Sequence, residues 1–329
     1  MSSAVSVKIH PSQFPDAVRA DLLESLRSRR VSHKFHYDSI KQTQKWLGLH
    51  EAYSPSRTDA DCLTIYEKGF ARAAAQIESP AVHLVGLGCG GGQKDTRLLK
   101  LLQGQGKKLF YTPSDVSVAM VLVAQQTAHS VVAQENCFPF VCDLGSANQI
   151  GENFSQLVQS DAQRLLTFFG MIPNFEPQII LPKLTALLRS ADLLLFSANL
   201  APGSDYLAGM EKILPLYDND LTRDWLQTFL TDLGVEKDDG DIKFSVDDGS
   251  SGMQLKRVAA HFVFQKRVVI DLPERRFEFA PGEKIQLFFS YRHTPERIAS
   301  LLAENGITVV DQWITRSEEE GVFLCRKAG

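Results

Sequence analysis

Residues 81–94 read Ala81-Val82-His83-Leu84-Val85-Gly86-Leu87-Gly88-Cys89-Gly90-Gly91-Gly92-Gln93-Lys94. An apolar run of strand length ends in a glycine-rich turn, and apolar residues at helical spacing follow over 94–102. Glycines at such a turn let the backbone approach a ligand closely, and the helix start adds N–H groups without intrahelical partners. Taken alone, the turn fits a dinucleotide, an adenosylmethionine, or no ligand at all.

Downstream, short apolar runs alternate with helical stretches. Strands are expected over 81–87, 108–112, 138–142, 164–169 and 192–197, and helices over 94–102, 117–128, about 150–159, and 177–188. Strand, helix, strand at this spacing predicts a parallel, doubly wound α/β sheet of Rossmann-like type. Upstream, 16–26 and 62–75 carry helical periodicity, with Thr58 or Asp59 placed to cap the second. A long helical region is expected over 206–233, then an acidic stretch at 236–241. Two β-rich runs follow at 254–270 and 275–291, then a helix at 295–304 and strands at 307–314 and 321–325. The expected organisation is an N-terminal helical segment (1–78) serving a substrate lobe, a Rossmann-like core (79–200), an inserted α+β substrate lobe (201–295), and a C-terminal helix and strands (296–329) completing the core.

Composition narrows the function. The chain has 329 residues, 44% of them hydrophobic, and a formal net charge of −4. Its lysines and arginines are scattered, with no basic run interleaved with aromatics, which argues against nucleic acid as a partner. The five cysteines (Cys62, Cys89, Cys137, Cys142, Cys325) form no CxxC pair and meet no histidine cluster. They read as reduced, buried, mostly strand-embedded thiols, with no metal site. The N-terminus lacks the apolar core of a signal peptide, and no apolar stretch is long enough to cross a bilayer. The expectation is a cytoplasmic, monomeric globular protein acting on a small molecule, with neither nucleic-acid nor membrane partners.

Two acids sharpen the reading of the glycine turn. Phe110-Tyr111-Thr112-Pro113-Ser114-Asp115 ends the second strand on an acid, where a ribose diol can be held by both carboxylate oxygens. Phe140-Val141-Cys142-Asp143-Leu144 ends the third on an acid and an apolar residue, suited to an adenine amine and ring face. A nicotinamide enzyme would explain Asp115 but has less use for Asp143. Either acid alone reads more often as a helix cap or a solvated loop residue than as a ligand-binding group. In series with the glycine turn they resemble the ordered motifs of Rossmann-like methyltransferases, which implies S-adenosyl-L-methionine (SAM) as cofactor.

The chain as a whole resembles the histidine Nα-methyltransferases of ergothioneine biosynthesis, a family that includes the dimethylallyltryptophan N-methyltransferases of ergot alkaloid pathways. The motifs run in order: Tyr37-Asp38, Tyr53-Ser54-Pro55-Ser56-Arg57-Thr58-Asp59, the turn from Gly86 to Lys94, and Thr112-Pro113-Ser114-Asp115-Val116-Ser117. Phe169-Gly170-Met171-Ile172-Pro173-Asn174-Phe175, Leu216-Tyr217-Asp218, and Phe279-Ala280-Pro281-Gly282-Glu283-Lys284-Ile285 leading to Phe289-Ser290-Tyr291 complete the set. The resemblance implies a cofactor set of Gly86, Gly88, Lys94, Asp115, Asp143 and Leu144. It implies an amino-acid site at Tyr53, Asn174, Tyr217, Met253, Phe288 and Ser290, with Tyr37 and Asn174 near the amine as the catalytic pair.

Two departures bear on the substrate. The family's Gly-x-x-Ile-Gly-Asn turn is one residue shorter here and carries Pro173. The histidine enzymes hold the imidazole with a glutamate two residues before the position of Ser290; here that residue is Phe288. Phenylalanine cannot accept from an imidazole N–H. Phe288 with Met253 therefore predicts an apolar side-chain pocket, and a substrate that is an apolar or aromatic amino acid methylated on its α-amino group. The alternatives are histidine itself (forming hercynine), a catalytically silent SAM-binding relative, an NAD-dependent oxidoreductase, or a Phe288 that simply faces the core.

Overall fold

The computed structural model describes residues 5–159, 161–249 and 255–329. These fall into two compact units. One comprises residues up to Gln13, Pro55–Leu200 and His293–Gly329; the other comprises Phe14–Ser54 and Ala201–Arg292. The stretch 1–78 is thus divided between them.

The first unit is built on one eight-stranded sheet. From edge to edge its strands are Lys8–Ile9, Phe140–Val141, Lys108–Asp115, Ala81–Leu87, Gln163–Phe169, Leu193–Asn199, Glu320–Lys327 and Ile307–Ile314. The first six run parallel, Glu320–Lys327 runs against them, and Ile307–Ile314, antiparallel to Glu320–Lys327, returns to their direction. The chain winds outward from Ala81–Leu87 in one direction, then returns to its other side through Gln163–Phe169. In open sheets of this kind, ligands bind beyond the strand C-termini at such a reversal of order. The glycine turn leaves the sheet there. Every residue of Ala81–Leu87 is buried, as expected of a parallel strand covered on both faces.

The expected core elements form, with shifted ends. The 138–142 run shortens to Phe140–Val141, since Pro139 has no N–H to give a ladder. Asp59 caps Ala60–Ala75 by accepting from the Cys62 amide at 2.7 Å. Cys62 lies on this helix as expected, but the cysteines are not mostly strand-embedded: only Cys325 lies within a strand, and Cys89, on the glycine turn, is half-buried. The 206–233 region is not one helix. Tyr206–Ile213 gives way to a single 3-10 turn, Leu214–Leu216, and a new helix, Asp220–Thr231, starts at the cap Asn219. Pro215, which lacks an amide hydrogen, falls in the turn that separates them. Among the described residues no helix is long and apolar enough to cross a membrane.

The second unit is α+β. Lys284–Tyr291, Lys256–Phe264 and Gly240–Asp248 form a three-stranded antiparallel sheet, and Val268–Asp271 pairs with Arg276–Phe279. Helices Pro15–Arg27, Ile40–Tyr53 and Asp220–Thr231 accompany them, around a core that includes Leu26, Phe35, Trp225, Phe229, Phe262 and Phe264. A bulge between Gln286 and Phe288 makes Leu287 the extra residue of its strand. Bulges re-aim the side chains that follow them, and this one bears directly on Phe288.

Candidate functional site

The glycine turn is a close approach of bare backbone. A Cβ on Gly86 would fall inside the carboxylate of Asp95, far within van der Waals contact. Gly88 has φ 65° and a Cβ there would meet Met171 Cγ at 2.6 Å, so it is strained and crowded for any other residue. Gly92 then occupies the N-cap of Gln93–Gly104.

Asp95 is a key residue that the sequence reading missed. It is buried, and its carboxylate accepts from the Tyr111 hydroxyl at 2.8 Å and the Thr167 hydroxyl at 2.7 Å. The first turn of this helix is thereby tied to the two strands flanking Ala81–Leu87. Burial outweighs both hydrogen bonds and pushes the Asp95 carboxyl up to about 6.

Asp115 lies at the end of its strand, with one carboxylate oxygen accepting from the Gly90 amide and the other from the Ser117 amide, each at 3.1 Å. It fastens the glycine turn to the next helix start. Burial pushes its carboxyl up to about 6, against these same amides, which favour the charged form. Asp143 spends its oxygens on its own turn, accepting from the Gly145 amide and the Ser146 hydroxyl, both at 2.8 Å. Each carboxylate oxygen keeps a second lone pair for a ligand. Leu144 follows, buried, and its carbonyl accepts from the Lys183 ammonium at 2.9 Å.

Lys94 donates to the Tyr66 hydroxyl at 2.9 Å and lies 4.4 Å from the centre of that ring. Burial lowers its pKa, with nearby Glu320 opposing. Tyr66 also bonds Glu320 and the Ser197 hydroxyl, and that hydroxyl accepts from the Gly170 amide at 2.9 Å. A chain of hydrogen bonds therefore links Lys94 to the turn carrying Asn174. There Pro173 is buried within the short helix Ile172–Asn174, whose end is closed by the Asn174 amide on Met171 O at 3.0 Å. Tyr66 and Glu320 carried no sequence signal, being 254 residues apart.

In the second unit the Tyr217 hydroxyl donates to Ser290 Oγ at 2.9 Å and accepts from Arg292 Nε and Nη2 at 3.2 and 3.0 Å. The single phenolic proton points at Ser290, so donation to a substrate carboxylate requires that it turn. Phe288 shares this strand face. Its ring centre lies 6.3 Å from Tyr217, 5.9 Å from Trp225 and 5.3 Å from His33. Tyr37 packs on Trp225 at 5.5 Å and Trp46 at 6.0 Å. Tyr37 thus reaches Phe288 through Trp225, Tyr217 packs on Phe288 directly, and Ser290 joins through its hydrogen bond with Tyr217. Phe288 is 7% exposed, and these rings are part of the hydrophobic core of this unit, so Phe288 does face the core, as one of the sequence readings allowed. Tyr53 ends Ile40–Tyr53 with 55% of its surface exposed. Met253 lies outside the described residues.

Comparison with known proteins gives this arrangement its family. A family model described as histidine-specific methyltransferase, SAM-dependent, matches residues 18–327. The N-methyltransferase imqF of Aspergillus flavus is 26% identical over 282 residues, covering 83% of this chain and 73% of that protein. Among solved structures, magnesium protoporphyrin IX methyltransferase from Synechocystis PCC 6803, with bound SAH, is 14% identical, covers 95% of this chain and 97% of its own, and has a TM-score of 0.42. Mitomycin 7-O-methyltransferase is 14% identical over 95% of this chain and 69% of its own, with a TM-score of 0.45. The two structural likenesses are too loose to add to what the family match shows. That match runs from the first helix to the last strand of the main sheet, and the chain belongs to the histidine-specific, SAM-dependent methyltransferase family.

Proposed function

We propose that this SAM-dependent methyltransferase acts on the α-amino nitrogen of a free aromatic amino acid or a close derivative. The observation that carries the reading is Phe288. It stands where an imidazole-holding carboxylate is expected, on the strand face of Ser290 and Tyr217 and against Trp225. A histidine ring placed there has two ring nitrogens to satisfy and no carboxylate at this position, and each nitrogen left unpaired costs about 1–3 kcal/mol.

In the first unit, the bare backbone at Gly86 and Gly88 suits a ligand lying close to the turn. Asp115 would receive the ribose hydroxyls, Asp143 the adenine amine, Leu144 a ring face, and Lys94 an anionic group. SAM supplies a methyl already activated as a sulfonium, so the protein's task is alignment, desolvation and keeping the amine neutral. Asn174 is proposed to accept an N–H of that amine through its side-chain carbonyl, leaving the lone pair free. Tyr37 is proposed to take part in passing the released proton to water. Tyr217, with Ser290 and Arg292 behind it, is proposed to hold the carboxylate.

The reading is tested by incubating the protein with SAM and a panel of amino acids and following methyl mass increments. Methylation of aromatic amino acids ahead of histidine is expected. The family description favours one second reading, histidine itself, and a preference for histidine in the same panel would establish it.

A pH dependence follows from Asp115. Ribose hydroxyls donate to the charged carboxylate, so cofactor binding favours the ionised form, whose pKa in the free protein is raised to about 6. Adenosylhomocysteine affinity is therefore full above that value. It falls as pH drops through it, by up to about tenfold per unit. Titration calorimetry between about pH 5 and 8 reads this, and Asp115→Asn flattens the profile while the Asp95 titration remains.

A further inference from the structure

His33 opens the short turn His33–His36 in the second unit. The turn is bolted to the bulged strand. Val31 N donates to Gln286 O at 2.8 Å, and His36 Nε2 bonds Leu287 O, at the bulge itself, at 2.7 Å. His33 is held between two phenylalanines, edge-on to Phe288 at 5.3 Å and to Phe289 at 4.6 Å. Both of its ring nitrogens are buried, and neither has a hydrogen-bond partner. Buried polar groups in folded proteins are nearly always hydrogen-bonded, so two orphaned nitrogens on one rigidly placed ring need an explanation. Burial, helped by His36, Arg30 and Arg257, holds the imidazole well below its usual range, hence neutral. A neutral imidazole offers one acceptor and one donor.

We propose that His33 is a specificity-determining residue of the substrate pocket, hydrogen-bonding the O–H or N–H of an aromatic substrate side chain that packs on Phe288. This rests on the proposed function above and narrows it, from any aromatic amino acid to one whose ring carries a hydrogen-bond donor, of phenol or indole type. Phe288 supplies the apolar face, and His33 beside it supplies the acceptor that phenylalanine removed from the strand. A site that hydrogen-bonds a substrate group rejects the analogue lacking it, because the site's own polar atom is then left unpaired.

The test is calorimetric binding of tyrosine, tryptophan and phenylalanine to the full chain loaded with adenosylhomocysteine, for wild type, His33→Phe and His33→Gln. Ring-for-ring replacement keeps the packing against Phe288 and Phe289, and glutamine restores an acceptor. Wild type is expected to favour tyrosine or tryptophan over phenylalanine by about tenfold or more. His33→Phe is expected to erase that preference, and His33→Gln to recover part of it. A purely structural role would lower all three affinities together and leave their ratio alone. Equal binding of all three by wild type, a preference that survives in His33→Phe, or no binding of any of them overturns the proposal. Methylation is read separately with SAM in place of adenosylhomocysteine. A preferred amino acid that binds through His33 but gains no methyl upholds the pocket and overturns the proposed function.

Discussion

Replacing Asp115 with alanine is expected to weaken adenosylhomocysteine binding by roughly a hundredfold or more and to abolish its stabilisation of the protein against heat. A carboxylate receiving two ribose hydroxyls makes two charge-assisted hydrogen bonds, each contributing about 1.5–3 kcal/mol, and about 1.4 kcal/mol is a factor of ten. The same carboxylate accepts from Gly90 and Ser117, so alanine also releases the glycine turn from the neighbouring helix start. Asp115→Asn keeps the volume and one acceptor oxygen, and its expected loss is smaller, about tenfold. Calorimetry with adenosylhomocysteine reads both variants. Binding of the alanine variant within a few-fold of wild type would remove Asp115 from the cofactor site.

The second large effect is on stability. Asp95→Ala leaves the Tyr111 and Thr167 hydroxyls, both fully buried, without their acceptor and opens a void beneath the glycine turn. Each unpaired hydroxyl costs about 1–3 kcal/mol, and the void adds to it. A total near 3–5 kcal/mol corresponds to a melting temperature lower by roughly 5–15 °C. A double-mutant cycle identifies the cause. Gly86→Ala alone drives its new methyl into the Asp95 carboxylate and is expected to destabilise by about 1–3 kcal/mol. In an Asp95→Ala background that collision is gone, so the pair should cost clearly less than the sum of the singles. Strict additivity would mean that Gly86 is a glycine for some other reason.

Much of the first unit could be read from the sequence because its central strands are buried on both faces. Such strands appear as unbroken apolar runs, and Ala81–Leu87 was located to the residue. Elements with one exposed face were harder. Gly240–Asp248, at the edge of its three-stranded sheet, fully buries only Ile242, with Phe244 and Val246 half-buried, and its first residues read as an acidic loop. Ile40–Tyr53 buries only Gln42 and Thr43 fully, so it offered no apolar stripe.

The site divides along a similar line. Gly86 and Asp115 stand out because a strand-to-helix turn and a strand end mark their places locally. Asp95 is conspicuous only beside Thr167, Tyr66 only beside Glu320, and His33 only beside Phe288. Each of these depends on a partner that the fold brings in from far along the chain. Phe288 was legible as a substitution, but the bulge at Leu287 that sets it on the Tyr217 face was not.

The most direct test of the central claim is a single incubation of the protein with SAM and the free amino acids, followed by mass spectrometry of the products. Methyl groups added to the α-nitrogen of aromatic amino acids, with histidine a poor substrate, are the predicted result. No methylation of any α-amino acid by protein that still binds adenosylhomocysteine would contradict it.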